Sequence, residues 1–186
     1  MDDIVKAALK KWPNVPHCFD WLALDARGDW YMRDDRIQGA GRFPQVKGSR
    51  IDHDQLKAFI HRNYDHDEAG CWFFQNGPQR VYVELEAAPW VWRLGAADAG
   101  APGIESHTGR AARYEAALLD EAGRLFLACD IGLGIVHTLD MEAASDAVAS
   151  GAWRVEEVRF ETLPARFGYR LSPAAQQPAA RPAAST

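Results

Sequence analysis

The length, composition and charge of the chain indicate one globular domain and argue against several classes of protein. Its 186 residues are 47% hydrophobic and 25% charged, a balance typical of a domain that buries a single core. The net charge of −5 argues against a nucleic-acid-binding protein, because such surfaces depend on an excess of Lys and Arg. No apolar run approaches the ~18 residues of a membrane span, so we expect no membrane partner.

The N-terminus and the cysteines favour a cytoplasmic location. The first residues, MDDIVKAALKKW, contain no apolar run of signal-peptide length. Cys18, Cys71 and Cys129 are odd in number, lie far apart and form no Cys-x-x-Cys pair, which suits a reducing compartment better than a disulfide scaffold. We predict a cytoplasmic protein without a cofactor.

The first third of the chain predicts two helices that flank a hairpin. Apolar residues at helical spacing predict a helix over 3–12, and Gly28 predicts the turn of a hairpin within 18–35. Residues 36–50 carry four basic residues and no acid, which is typical of a solvated loop. Asp52 can cap a second helix that we expect to end near Asp65.

The middle of the chain has the clearest strand pattern. The turn Asn76-Gly77-Pro78 joins two apolar runs, and the second run alternates from Arg80 to Glu86, which predicts a strand with one wet face. Trp90 to Leu94 continue the alternation as a further strand. Residues 95–110 are rich in small residues and predict a long surface loop whose role the sequence does not reveal.

The remaining elements are another hairpin, a helix and short strands. Strands are predicted over 114–119, 124–129, 134–137, 155–160 and 167–171. A helix is predicted over 139–150. Residues 172–186 are dominated by Ala and Pro and lack large apolar side chains, which predicts a flexible tail. The domain is therefore predicted over 1–171.

These elements predict an α+β fold. We expect a mainly antiparallel sheet of hairpins, with about eight or nine short strands and three helices. Parallel pairing is not expected, because the strands follow one another too closely for crossover connections. The strand order and the oligomeric state are left open.

Three segments carry a resemblance to a known family. They are WPNVPHCFDWLALDARGDWYMRDD, FIHRNYDHDEAGCWFFQNGPQRVYVELEAAPWVWRL and LDEAGRLFLACDIGLGIVHTLDM, which together span about residues 12–141. They resemble an uncharacterised proteobacterial family known only as a domain of unknown function. The resemblance implies a stand-alone bacterial cytoplasmic protein and brings with it no activity, cofactor or site residue.

Tryptophan is the most unusual feature of the composition. Five of the seven Trp residues lie on predicted strands: Trp21, Trp30, Trp72, Trp90 and Trp92. Core filling explains much of this, but indoles on neighbouring strands can also line a groove, since the indole N–H needs a polar partner. Arg62, Tyr64 and Arg80 are candidate polar contacts beside such a groove. This pattern favours a non-enzymatic binding or interaction protein for a small ligand or a protein partner.

An alternative is a small metal-assisted hydrolase. His61, Asp65 and His66 are candidate ligands near the end of the second predicted helix. The five-residue spacing of the two histidines differs from the i, i+4 spacing that places two imidazoles on one helical face. A homodimer through an exposed edge strand is a third hypothesis, with Pro89 as a residue that blunts such an edge.

Overall fold

The computed structural model describes residues 1–98 and 101–176. Within them, thirteen strands form two sheets of mixed direction, one of six strands and one of seven, together with five α-helices. The prediction of a mainly antiparallel sheet with three helices is therefore wrong. In this described part of the chain, no helix has the length and apolarity needed to cross a membrane.

The first sheet, sheet A, comes from the N-terminal half. Its strands are β1 (Cys18–Leu24), β2 (Trp30–Met32), β3 (Ser49–Arg50), β4 (Tyr64–His66), β5 (Trp72–Asn76) and β6 (Gln79–Leu85). Three helices belong to this half: α1 (Asp3–Lys11), α2 (Asp35–Ala40) and α3 (Asp54–Arg62).

The second sheet, sheet B, comes from the C-terminal half. Its strands are β7 (Trp90–Asp98), β8 (Ala101–Ser106), β9 (Ala111–Ala112), β10 (Tyr114–Asp120), β11 (Leu125–Cys129), β12 (Gly132–Val136) and β13 (Val155–Val158). The helices of this half are α4 (Met141–Ala149) and α5 (Leu163–Phe167).

The two sheets share one topology. Sheet A has the order β3-β2-β1-β6-β5-β4, and sheet B has the order β13-β10-β11-β12-β7-β8-β9. Each sheet joins two antiparallel three-stranded meanders through a parallel pair, β1 with β6 and β7 with β12. A further parallel pair joins β10 to β13. The predicted hairpins β1–β2, β5–β6 and β10–β11 are confirmed, but the parallel pairs join strands that are distant in sequence, so local patterns do not reveal them.

Four turns are built in the same way. The first side chain of each turn accepts hydrogen bonds from the backbone N–H groups two and four residues later; these first residues are Asp25, Asp67, Ser106 and Asp120. The fourth position is a glycine with φ between 73° and 84° in all of them: Gly28, Gly70, Gly109 and Gly123. Glycine takes this left-handed conformation without a steric penalty. The D/S-x-x-G pattern thus sets four of the strand connections.

Replacing Asp67 with alanine should lower the free energy of unfolding by about 1–2 kcal/mol, because several donors lose their acceptor. The Asp67 carboxylate accepts from the N–H groups of Ala69 and Cys71 and from the Tyr82 hydroxyl. An Asp67→Asn variant keeps an acceptor oxygen and should retain most of the stability. Urea denaturation of both variants checks this, and equal losses would show that the turn does not depend on the acceptor.

Several segments differ from their predictions. The predicted loop over 95–110 instead holds the end of β7 and all of β8, with residues 99 and 100 outside the described residues. The basic segment 36–50 contains most of α2 and all of β3. Helix α3 ends at Arg62 rather than near Asp65, because strand β4 begins at Tyr64. Residues 167–171 are not a strand, because α5 ends there with Gly168 in the left-handed conformation.

Strand β6 is buried on both faces from Tyr82 to Leu85, contrary to the alternation argument. Tyr82 and Glu84 point away from the main core and are nevertheless buried. Tyr82 stacks on Phe19 with ring centroids 4.5 Å apart, and the Glu84 carboxylate accepts from the N–H of Ala174. Burial raises the pKa of Glu84. Residues 172–176 of the predicted tail thus include a contact with sheet A, and residues 177–186 lie outside the described residues.

Candidate functional site

A cavity of about 470 Å³ lies where the Asp25 turn of sheet A and helix α3 meet sheet B. Three histidines line it, each from a different element: His61 from α3, His107 from the β8–β9 turn and His137 from the residue after β12. The other lining residues are Arg27, Gly28, Val91, Arg93, Glu105, Ser106, Thr108 and Gly109. We call this space the histidine cavity.

His107 is positioned by the packing of two turns against each other. It is the second residue of the Ser106 turn, and it packs against Gly28 of the Asp25 turn. A Cβ atom on Gly28 would lie only 3.1 Å from the Cβ of His107, and Gly28 has φ +84°. Both the close approach and the backbone conformation therefore require glycine there. The repeated turn motif brings the two sheets together at the site.

The hydrogen bonds of His107 fix its tautomer. Its Nδ1 accepts from the backbone N–H of Val91 at 3.2 Å, so in the neutral ring the proton is on Nε2. This Nε2 atom is buried and has no hydrogen-bond partner among the described residues. Burial, and then the neighbouring His61, lower the pKa of His107 to about 3, so the ring is neutral near pH 7. A buried N–H without an acceptor costs free energy unless something binds to it.

His61 and His137 are neutral donors of the same kind. The Nε2 of His61 accepts from the Trp30 indole N–H at 2.9 Å, which leaves the proton on Nδ1. The Nδ1 of His137 accepts from the N–H of Leu139, which leaves the proton on Nε2. Burial lowers the pKa of both rings, aided by the charge of Lys57 for His61 and of Arg93 for His137.

Charged side chains complete the lining. Arg27 is exposed on the Asp25 turn and makes no ion pair among the described residues. Arg93 binds Asp140, with its Nε 2.6 Å from Oδ2, which orients the guanidinium beside the cavity. Glu105, on β8, is paired in register with Arg93 of β7. The lining residues therefore include three neutral imidazoles and two guanidinium groups against one carboxylate.

Comparison with known proteins places the chain in a family. The family model DUF2944, described as "Protein of unknown function (DUF2946)", matches residues 1–174. The chain belongs to the DUF2944 family. This confirms the resemblance to an uncharacterised family that the sequence suggested. No curated protein sequence matches the chain.

Two solved structures are similar to this DUF2944 protein. A DUF1285 family protein from Silicibacter pomeroyi DSS-3 has a TM-score of 0.49 and 13% identity, and the match covers 72% of each chain. A DUF1285 family protein from Shewanella baltica has a TM-score of 0.46 and 14% identity, and the match covers 68% of this chain and 91% of that one.

Most of the predicted aromatic residues form one cluster, but it lies in the core of this DUF2944 protein. The cluster consists of Trp30, Tyr64, Trp72, Trp90 and Trp92, joined by ring-centroid distances of 4.7–6.2 Å. Each of its members is at most 6% exposed, so these rings offer no open face to a ligand. The Trp90 and Trp92 indoles donate to the backbone oxygens of Ile131 and Leu127. The cluster instead supports His107, whose ring lies 5.7 Å from that of Trp30.

The other predicted binding residues lie apart from this cluster. Trp21 is 40% exposed and lines a different cavity, described below. Arg62 is exposed and pairs with Asp2, and the Arg80 guanidinium stacks over Phe73 at 4.4 Å. The structure does not bring these three residues to the histidine cavity.

The predicted metal ligands are not assembled as a site. Within residues 1–98 and 101–176, no three His, Cys, Asp or Glu side chains are grouped so that they could hold a metal ion. His61 faces the histidine cavity and accepts from Trp30. His66 instead packs on Trp72, with ring centroids 5.0 Å apart.

Sequence reasoning did not identify His107 or His137 as site residues. The one signal for His107 was the Ser106-His107-Thr108-Gly109 segment, which has the same turn pattern as Asp25-Ala26-Arg27-Gly28. Treating 95–110 as one long loop concealed that pattern. His137 precedes the helical segment that begins at Thr138, but nothing local links it to residues 30 or more positions away.

Proposed function

We propose that the chain is a non-enzymatic binding protein that holds a small acidic solute, a carboxylate or a phosphate, in the histidine cavity. The observation that carries the proposal is the buried Nε2–H of His107, which has no acceptor among the described residues and belongs to a side chain that lines the cavity. An anion oxygen that reached this N–H would satisfy it.

The remaining donors of the cavity support an acidic ligand. The imidazole N–H groups of His61 and His137 and the Arg27 guanidinium require acceptors. Arg93, which is already bound to Asp140, adds a second positive charge to the lining. Carboxylates and phosphates supply acceptors only, and guanidinium groups bind them with well-defined geometry. Glu105 disfavours anions at its end of the cavity, so the ligand would lie closer to Arg27.

The protonation of the histidines supports binding rather than acid–base catalysis. An efficient general base has a pKa near the working pH, whereas the pKa of His107 is lowered to about 3. Each of the three rings also has one nitrogen engaged by a backbone or indole N–H. They are thus held as fixed hydrogen-bond donors.

We also propose that the protein works in a bacterial cytoplasm. Cys18, Cys71 and Cys129 are all free thiols, which suits a reducing compartment. The resemblance of the sequence to a proteobacterial family supports the same setting.

Removing the Arg27 guanidinium should weaken anion binding about tenfold, since a charge-assisted hydrogen bond contributes about 1.5 kcal/mol. Isothermal titration calorimetry with inorganic phosphate and with succinate measures this for the wild type and for Arg27→Ala. The two titrants distinguish a phosphate site from a carboxylate site.

Arg154→Ala is the matched control, because Arg154 is exposed and does not line the cavity. Binding by the control should equal that of the wild type. The proposal fails if neither anion binds to the wild type, or if Arg27→Ala and Arg154→Ala have the same effect.

A further inference from the structure

A second cavity, of about 330 Å³, lies between the face of sheet A and helix α3. Its inner wall is apolar and includes Leu22, Ile60 and Phe74, each at most 6% exposed. Trp21 and Met32 also line it and are 40% and 47% exposed. We call this space the apolar crevice; its volume is that of a small-molecule site.

A strained bulge in β1 shapes the crevice. Asp20 has φ +61°, a left-handed conformation that residues other than glycine seldom adopt. The register between β1 and β6 shifts at this point, between Cys18 and Leu22. As a result Trp21 and Leu22, which are adjacent in sequence, both line the crevice, whereas neighbours in a regular strand face opposite ways.

A buried ion pair holds the bulge in place. The Arg33 side chain is fully buried, and its Nε donates to the Asp20 carboxylate at 2.9 Å. The same guanidinium donates to the backbone oxygens of Gly41 and Val46. Bulges that redirect a side chain are common beside functional sites, and this one brings an exposed indole to the edge of an apolar cavity.

The lining of the crevice determines which ligand it can accept. Its described lining residues include no Lys, Arg, His, Asp or Glu, and its polar groups are the Cys18 thiol, the Trp21 indole N–H and the amides of Asn76 and Gln79. A charged ligand would lose its hydration there without gaining a counter-charge. A neutral molecule with an apolar body and one hydrogen-bonding group matches both the wall and the amides.

We propose that the apolar crevice binds a small neutral amphiphile of the straight-chain alkanol type. The alkyl chain lies against Leu22, Ile60 and Phe74, and the hydroxyl reaches the amides of Asn76 or Gln79. This site is separate from the histidine cavity and does not depend on the function proposed for it.

Cys18 provides a direct reporter of occupancy. It lines the crevice and is partly exposed, whereas Cys71 and Cys129 are buried. Alkylation of the full chain with iodoacetamide, followed by peptide mass spectrometry, therefore measures access to the crevice. With 1-octanol at ten times its Kd, the Cys18 alkylation rate should fall about tenfold.

Chain length and charge test the ligand class. From 1-hexanol through 1-heptanol to 1-octanol, each added CH₂ should tighten the Kd about fourfold. Octanoate and octylammonium should protect Cys18 far less than 1-octanol. Equal protection by either charged analogue would contradict a neutral ligand.

A matched pair of variants tests the location. Met32→Glu places a charge at the crevice and should remove the protection, whereas Met141→Glu changes an exposed methionine on α4, outside the crevice, and should not. The proposal is overturned if 1-octanol gives no protection, or if both variants respond alike. Protection that depends on protein concentration, without alkanol, would assign the crevice to a second copy of the chain and also overturn it.

Discussion

Replacing Gly134 with alanine should lower the free energy of unfolding by about 3 kcal/mol, at the upper end of the usual cost of overpacking a core. Gly134 lies on β12 in parallel register with Trp90 of β7. An added Cβ would lie 2.5 Å from the Trp92 Nε1 and 2.7 Å from the Trp90 Cβ. To make room, Trp92 would have to give up its hydrogen bond to the Leu127 oxygen, or the two strands would have to separate.

Gly103→Ala is the matched control for this change. Gly103 lies on β8 of the same sheet, and no atom beyond its immediate chain neighbours lies within 4 Å of the position that a Cβ would take there. Its stability should change by less than about 1 kcal/mol. Urea denaturation measures both variants, and an equally stable Gly134→Ala would contradict the parallel pairing of β7 with β12.

The protein should lose about 2 kcal/mol of stability through His107 alone between pH 7 and pH 5. Burial, followed by His61, lowers the pKa of His107 to about 3 in the folded state, whereas an unfolded histidine titrates near its ordinary pKa of about 6.5. As the pH falls through 6.5, the His107 ring binds a proton in the unfolded state but not in the folded state. The contribution of His107 to the free energy of unfolding is therefore fully present above about pH 6.5 and declines steadily towards pH 3.

A His107→Asn variant isolates this contribution. The asparagine oxygen can still accept from the Val91 N–H, and the side chain does not titrate. Between pH 7 and pH 5 its stability should fall about 2 kcal/mol less than that of the wild type. The lowered pKa values of His61 and His137 act in the same direction in both proteins and cancel in the comparison. Identical pH profiles would show that His107 is not buried in its neutral form.

The features that the sequence predicted correctly are those that depend on neighbouring residues, such as hairpins. Gly28 indicated a hairpin because it lies between two apolar runs and can adopt the conformation of a tight turn, and this hairpin is present. The hairpin predicted over 114–129 is also present. The pairing of β1 with β6 depends instead on the assembly of two meanders, and no local pattern encodes it. For this reason the predicted fold class was wrong although several of its hairpins were right.

The sequence also did not predict that part of strand β6 is buried on both faces. The alternation in β6 indicated a solvent-facing side, but Tyr82 is covered by Phe19, and Glu84 is covered by the C-terminal segment. A polar residue in a strand is compatible with either environment, since a buried carboxylate needs only donors that the rest of the chain supplies.

The candidate site was the least predictable part of the molecule. The tryptophans predicted to line a groove mostly fill the core, and the histidine cavity combines residues from α3, the β8–β9 turn and the end of β12. Trp21 was the exception, because the bulge at Asp20 keeps it exposed. Each of these outcomes depends on how the two sheets pack, which periodicity does not describe.

Long-range proton–nitrogen NMR of the imidazole rings, recorded with and without inorganic phosphate or succinate, tests the histidine cavity most directly. We expect the His107 ring to be neutral near pH 7 with its proton on Nε2, and this nitrogen to shift as the anion is added. A proton on Nδ1 of His107, or ring resonances that do not respond to either anion, would contradict the proposed site.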